Sequence, residues 1–170
     1  MLFQPHCNPI AEALAVEAAR LVLQFLPRLL LQAGYAPVAH RLEREQLARA
    51  SLLAGLAMSQ TQTALAHALS YDLTLHEALP HGEACAVWLP MVWELALGRS
   101  SSCDAALARV FGVPADAGVQ KLRTWLLELG ILVRELRHSP EGRARLEREM
   151  RSARGSNFIG SENENTSRGL

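Results

Sequence analysis

Residues 67–82 have the sequence HALSYDLTLHEALPHG and contain three of the six histidines in the chain. His67 closes an apolar run with helical spacing, and His81 follows a proline, a residue that favours the first turn of a helix. A loop between these two elements would fold one imidazole back towards the other, which is a common way to present ligands to a divalent metal ion. A firmly held ion needs at least three protein ligands, and the sequence shows no obvious third.

The same stretch resembles the C-terminal metal-binding segment of the iron-dependent, or group III, alcohol dehydrogenases. The resemblance is carried by the pattern H-A-L-x-Y-(x)8-P-H-G and by the residues that follow it, 85–90. Residues 8–15 and 50–57 resemble two earlier helices of the same family. In that family two histidines with this spacing bind a catalytic iron or zinc, so the resemblance implies that His67 and His81 are metal ligands.

The resemblance covers residues 3–160 and implies both a fold and an activity. The implied fold is all-α, the dehydroquinate synthase-like helical bundle that forms the C-terminal domain of these enzymes. The implied function is the C-terminal part of an alcohol or aldehyde oxidoreductase that uses NAD(P) and Fe²⁺ or Zn²⁺. The metal there acts as a Lewis acid on the substrate oxygen during hydride transfer.

Tyr71 stands where many members of the family have a further histidine. Its Tyr-x-Leu-Thr context is similar to a branch that reduces phosphonoacetaldehyde-type or other aldehydes. Tyr71 and His76 are therefore candidates for the substrate pocket. A packing tyrosine at a helix end and an exposed loop histidine are the simpler interpretations of the same two residues.

The sequence also departs from the family pattern. Members have an N-terminal domain that binds the dinucleotide through a glycine-rich turn, and they supply an aspartate and a histidine, four residues apart, as further metal ligands. By the resemblance, the helix with those two ligands would end just before Met1. We therefore expect a C-terminal fragment that is inactive alone, binds metal and NAD(P) weakly or not at all, and needs the missing nucleotide-binding domain to act on a small alcohol or aldehyde.

The amino-acid composition also limits the class of protein, without reference to the family resemblance. The chain of 170 residues is 49% hydrophobic and only 5% aromatic, which favours a helical core of Leu, Ala and Val. Seventeen basic residues balance seventeen acidic ones, which argues against a general nucleic-acid or anionic-membrane binder. Three widely spaced cysteines and the lack of a membrane-length apolar run are typical of a cytoplasmic protein.

Hydrophobic spacing and capping residues predict one helical domain over residues 1–154 and a disordered tail over 155–170. The first helix starts at Asn8 and Pro9, with a buried stripe of Ile10, Leu14, Ala18, Leu21, Phe25 and Leu29, and it stops at Gly34 before a turn at 35–37. The other predicted helices cover approximately 42–57, 60–69, 83–97 with a kink at Pro90, 104–111, 119–129 and 141–151. Residues 131–133 are the only candidate for a strand.

Two other classes of function remain open. The chain could be a non-catalytic helical module that has kept the fold for assembly or interaction, in which case an exposed apolar face would favour homo-oligomers. It could also be a stand-alone metal-binding protein in which His6 or Cys7 completes a site with His67 and His81. Metal analysis of the purified chain tests whether it is such a stand-alone metal-binding protein.

Overall fold

The computed structural model describes residues 2–5, 8–31 and 40–161. The described residues form helices joined by short turns and contain no strand, which confirms the all-α prediction. The helices are α1 Pro9–Leu31, α2 Arg41–Ser59, α3 Leu65–His76, α4 His81–Ala86, α5 Leu89–Ala96, α6 Ser101–Phe111, α7 Ala115–Glu128 and α8 Pro140–Met150, followed by the 3₁₀ turn Gly155–Asn157. None of the helices described is both long enough and apolar enough to cross a membrane.

Helices α1 and α2 pack against each other. The predicted cap is present, because the Asn8 side-chain oxygen accepts a hydrogen bond from the Ala11 N–H at 2.8 Å. Leu21 and Phe25 of α1 form a buried cluster with Ala50 of α2. The predicted buried stripe is wrong at Ile10, which is 66% exposed, since the neighbouring Ala11 is the fully buried residue at this end of α1.

Leu42, the first residue of the second predicted helix, lies in the first turn of α2 and is more than half exposed. The predicted stop at Gly34 and the turn at 35–37 lie outside the described residues. Helix α1 itself continues through Pro27 to Leu31.

The main core lies between α3, α4, α5 and α8. Its largest fully buried side chains include Leu65 and Leu69 of α3, Trp88 before α5, and Met91 of α5. A second cluster joins Trp93 of α5 to α6 and α7. The first core fixes α3 and α4 relative to each other, and these two helices carry the histidines of the 67–82 stretch.

The predicted single helix over 83–97 is wrong: the chain forms α4 and α5 with a turn at residues 87–88 between them. Pro90 lies at the start of α5 rather than in the middle of a longer helix. This placement suits proline, because its fixed φ and missing N–H are tolerated in a first turn but interrupt a helix interior. The short α4 can therefore take its own direction, with His81 at its start.

Residues 131–133, which the sequence offered only as a short candidate for a strand, form an irregular segment between α7 and α8. The predicted disordered tail is wrong in its first part. Residues 155–161 are not disordered, since Gly155 starts a 3₁₀ turn and Phe158 is completely buried in the main core. Burial of Phe158 stabilises this polar segment, because it removes a large apolar surface from water. Residues 162–170 lie outside the described residues.

Candidate metal centre

His67 lies in the first turn of α3 and is half buried. The sequence prediction put it near the end of a helix over residues 60–69, but the helix starts at Leu65. Leu65, Leu69 and Leu73 recur at helical spacing and bury one face of α3. His67 lies off that face, at the edge where α3 meets α4.

His81 is the first residue of α4, as the preceding proline predicted. Pro80 has φ −52° and ψ 136°, an extended conformation that turns the chain into the new helix. The ring centroids of His67 and His81 are 5.5 Å apart and the ring planes are inclined by 62°. The structure therefore brings the two imidazoles together, as expected from the loop between them.

Cys85 joins the two histidines, and sequence analysis missed it as a candidate ligand. Its Sγ lies 3.8 Å from Nε2 of His81, and the potential ligand atoms of His67, His81 and Cys85 all lie within 4.8 Å of one another. The signal was in the sequence, because a cysteine four residues after a histidine lies on the same face of a helix. The predicted helix over 83–97 left His81 outside it, whereas α4 starts at His81 and includes Cys85.

The other residues proposed from the sequence have different positions. The ring of Tyr71 lies 6.1 Å from the ring of His81 and at the same time under the guanidinium of Arg154, at 4.9 Å. His76 ends α3 and is exposed, nine residues after His67 and about 13 Å further along the helix. Tyr71 thus borders the metal centre and His76 does not. His6 and Cys7 lie outside the described residues.

Two of the three donors have shifted pKa values. Burial lowers the pKa of His67, and the neighbouring His81 lowers it further. Burial raises the pKa of the Cys85 thiol, with a hydrogen bond from Ser70 acting in the opposite direction. A neutral imidazole offers a lone pair to a metal ion, whereas an imidazolium does not.

The acidic side chains nearby are not among the converging donor groups. Asp72 forms an ion pair with Arg145 at 2.9 Å, and Glu77 is held by two hydrogen bonds from Arg134 at 2.7 and 2.5 Å. Glu83 is exposed on α4. The donors that converge are thus two imidazoles and one thiol, a set that fits a divalent transition metal better than Mg²⁺ or Ca²⁺.

Comparison with known proteins agrees with this architecture. The family model described as "Fe-containing alcohol dehydrogenase family, C-terminal" matches residues 1–138. The chain belongs to the iron-containing alcohol dehydrogenase family. The resemblance seen in the sequence is thereby confirmed.

Relatives in the iron-containing alcohol dehydrogenase family match part of the chain. A 1-propanol dehydrogenase of Salmonella typhimurium is 35% identical over 116 residues, which are 66% of this chain and 30% of the relative. A 1,3-propanediol dehydrogenase of Citrobacter freundii is 33% identical over 109 residues, which are 64% of this chain and 27% of the relative. The chain thus spans less than a third of the length of these curated relatives.

Solved structures of iron-containing alcohol dehydrogenase relatives share the fold over nearly the whole chain. Sulfoacetaldehyde reductase of Bifidobacterium kashiwanohense in complex with NAD⁺ superposes with a TM-score of 0.76 at 25% identity, covering 92% of this chain and 41% of that one. The iron-containing alcohol dehydrogenase of Thermotoga maritima gives a TM-score of 0.68 at 28% identity, with 92% and 40% covered.

Proposed function

We propose that this chain is the metal-binding part of an NAD(P)-dependent oxidoreductase that interconverts a small alcohol and its aldehyde. The observation that carries the proposal is the approach of the His67 and His81 rings to 5.5 Å in a chain of the iron-containing alcohol dehydrogenase family. His67 and His81 would hold Fe²⁺ or Zn²⁺. The bound cation supplies Lewis acidity at the substrate oxygen while hydride moves between the nicotinamide and the carbon.

The residues of the chain are suited to holding the cation. The hydrophobic face of α3 is anchored in the core by three leucines, so the His67 backbone is fixed. His81 is exposed and can rotate about its side-chain torsions to close the remaining distance to a shared ion. A site with one fixed and one adjustable imidazole keeps the ion at the surface of the helical domain, where a substrate can reach it.

The proposed substrate class follows from the relatives and from the border of the site. The matching relatives are named for 1-propanol and 1,3-propanediol, and one structural neighbour for sulfoacetaldehyde, all of them small molecules with a primary alcohol or aldehyde group. Tyr71 lies beside His81 and provides a phenol group at the border of the histidine pair. We propose that Tyr71 contacts the substrate, whereas the exposed His76 gives little support for a role in the pocket.

We also propose that the 170-residue chain has no dehydrogenase activity by itself. Hydride transfer needs a nicotinamide held against the substrate carbon. The described residues form a helical domain with the metal donors at one edge, and the nucleotide would be bound by a separate nucleotide-binding domain. Activity is therefore expected only when such a domain is joined to the chain or co-expressed with it.

Metal analysis tests the proposal directly. The purified chain is stripped with a chelator, dialysed against Zn²⁺ or, without oxygen, against Fe²⁺, and its metal content and thermal unfolding are measured. Because the chain alone is expected to bind metal weakly, we expect bound metal and a higher unfolding temperature only while free metal is kept well above the dissociation constant. Ligand at about 100 times that constant stabilises a protein by about 2.7 kcal/mol. His67→Ala and His81→Ala should abolish both effects, and the exposed His76→Ala should not. Equal metal content in all four proteins would contradict the proposal.

A non-catalytic assembly module is the second candidate, and one surface favours it. Leu52 and Leu56 lie four residues apart on α2 and are 63% and 46% exposed, with Leu42 also exposed on the same helix. Such a row is typical of a docking surface. If this is the main role, Leu52→Gln with Leu56→Gln will convert an oligomer to a monomer in analytical ultracentrifugation, and the histidine variants will bind no less metal than the unchanged chain.

A further inference from the structure

Cys85 has a position that the two histidines alone do not explain. It is half buried at the interface of α3 and α4, and its Sγ faces Nε2 of His81 at 3.8 Å. Zinc sites often have two ligands four residues apart on one helix and another ligand from a neighbouring element. His81, Cys85 and His67 reproduce that arrangement on α4 and α3.

The distances are compatible with a shared ion. Zinc–sulfur and zinc–nitrogen bonds of about 2.3 and 2.0–2.1 Å at a tetrahedral angle place the two ligand atoms about 3.6 Å apart. The 3.8 Å between Cys85 Sγ and His81 Nε2 is close to this value. The full set of three ligand atoms lies within 4.8 Å, a separation that small side-chain rotations would reduce to that of ligands around one ion.

We propose that Cys85 is the third protein ligand, so that His67, His81 and Cys85 bind a thiophilic divalent cation, Zn²⁺ or its probe Co²⁺, within this chain. The inference rests on the proposed function, because it uses the same two histidines, and it adds a thiolate to their site. Thiolate and imidazole together favour zinc and other borderline-soft ions. Three protein ligands leave a fourth position open, as in catalytic zinc sites.

The chain offers matched controls for this ligand. Cys103 is a buried cysteine of the second core cluster, on α6. Cys7 is the third thiol of the chain and belongs to the alternative in which His6 or Cys7 completes the site. A substitution of Cys85 can therefore be compared with the same substitution at each of the other two cysteines, and circular dichroism shows whether each variant keeps its helices.

Cobalt spectroscopy gives a readout that does not depend on enzyme activity. The full chain, stripped of metal, is titrated with Co²⁺ and its near-ultraviolet absorption is recorded. We expect a thiolate-to-cobalt charge-transfer band that Cys85→Ser removes, with an affinity loss of about tenfold or more, and that Cys7→Ser and Cys103→Ser leave unchanged. A band that survives Cys85→Ser, or that disappears in Cys7→Ser, would overturn the assignment.

The histidine variants separate this inference from the proposed function. If Co²⁺ binds without a charge-transfer band and His67→Ala and His81→Ala abolish binding, the histidine site stands and Cys85 is not a ligand. If neither histidine variant changes Co²⁺ binding, or the chain binds no Co²⁺, both proposals fail.

A second measurement needs no Cys85 variant. Bound Zn²⁺ should slow the alkylation of Cys85 by N-ethylmaleimide, which is read from peptide masses, and a chelator should restore the rate. An alkylation rate that Zn²⁺ leaves unchanged would contradict the assignment of Cys85 as a ligand.

Discussion

The backbone N–H of Ile159 donates a hydrogen bond to the carbonyl oxygen of Phe3 at 3.0 Å, so the segment after α8 is joined to the segment before α1. The neighbouring Phe158 is fully buried in the main core, next to the leucines of α3. Asn157 also donates to the Thr63 carbonyl oxygen, just before α3 begins, at 3.3 Å. The residues after Gly155 thus hold the end of α3 that carries His67.

Phe158→Ala should be strongly destabilising. The substitution leaves a cavity in a core of aliphatic side chains, and removal of a buried phenylalanine side chain costs about 3–5 kcal/mol. Urea unfolding followed by circular dichroism measures the loss. Leu132→Ala is the control, because Leu132 is 72% exposed and should change the free energy of unfolding by less than about 0.5 kcal/mol. Similar losses in the two variants would show that residues 155–161 are not part of the core.

The local signals in the sequence predicted most of the helices correctly. Asn8 and Pro9 start α1, while Ser100 and Ser139 accept hydrogen bonds from the N–H groups of Cys103 and Gly142 at the starts of α6 and α8. These caps act within one turn of the chain, so the sequence is sufficient to identify them. The resemblance to the family identified His67 and His81 from the residues next to each of them in the sequence.

What the sequence did not predict depends on contacts between distant segments. The order of residues 155–161 comes from burial of Phe158 against α3, which local polarity cannot reveal. The break between α4 and α5 depends on Pro90 starting a helix rather than bending one. Cys85 belongs to the candidate site because α4 starts at His81, which places Cys85 four residues later on the same face of the helix. Tertiary packing decided each of these points.

Gly118→Ala and Gly55→Ala should change stability in opposite directions. Both glycines lie inside helices, α7 and α2, where alanine is intrinsically better by about 0.5–1 kcal/mol. A Cβ on Gly118 would meet the buried Trp93 ring at 2.5 Å, whereas a Cβ on Gly55 would meet nothing within 4 Å. We expect Gly118→Ala to lose about 1–3 kcal/mol by overpacking and Gly55→Ala to gain about 0.5–1 kcal/mol.

Urea unfolding of the two alanine variants measures both changes. A gain in stability at both positions would mean that α7 can move away from Trp93 without loss. In that case the contact between α5 and α7 would not limit the side chain at residue 118. Near-ultraviolet circular dichroism of the tryptophans should change for Gly118→Ala and remain the same for Gly55→Ala.

The carboxylates of Glu94 and Glu135 should make stability depend on pH. Burial alone would raise the pKa of Glu94, but hydrogen bonds from Arg123 and Arg137 outweigh it, so the pKa is lowered. The pKa of Glu135 is lowered mainly by a hydrogen bond from Arg137. Because both folded-state values lie below the unfolded ones, the stabilisation is complete above the ordinary glutamate range and is lost as the pH falls through the folded pKa.

Glu94→Gln should therefore lower the free energy of unfolding by about 1 kcal/mol at pH 7. The difference from the unchanged chain should shrink as the pH is lowered from 5 towards 3. Glu147→Gln, at an exposed position on α8, is the control and should have a small effect at every pH. Urea unfolding at several pH values gives these differences. A loss for Glu94→Gln that stays constant with pH would show that its charge is not the source of the stabilisation.

Arg154→Gln should strengthen binding of a divalent cation at the histidine pair. The Arg154 guanidinium lies over the ring of Tyr71, and its positive charge contributes to the lowered pKa of His67. The same charge repels a cation bound by His67 and His81. At this exposed position the repulsion is screened by water and salt, so we expect the Zn²⁺ dissociation constant to fall only about two- to fivefold.

Isothermal titration calorimetry at 20 mM and 500 mM salt measures the dissociation constant, and the gain in affinity should be smaller at high salt. Arg151→Gln removes an equal charge three residues earlier in the chain, without the contact to Tyr71, and should change the affinity less. Equal gains in the two variants would indicate a general effect of net charge, since only Arg154 lies beside the site.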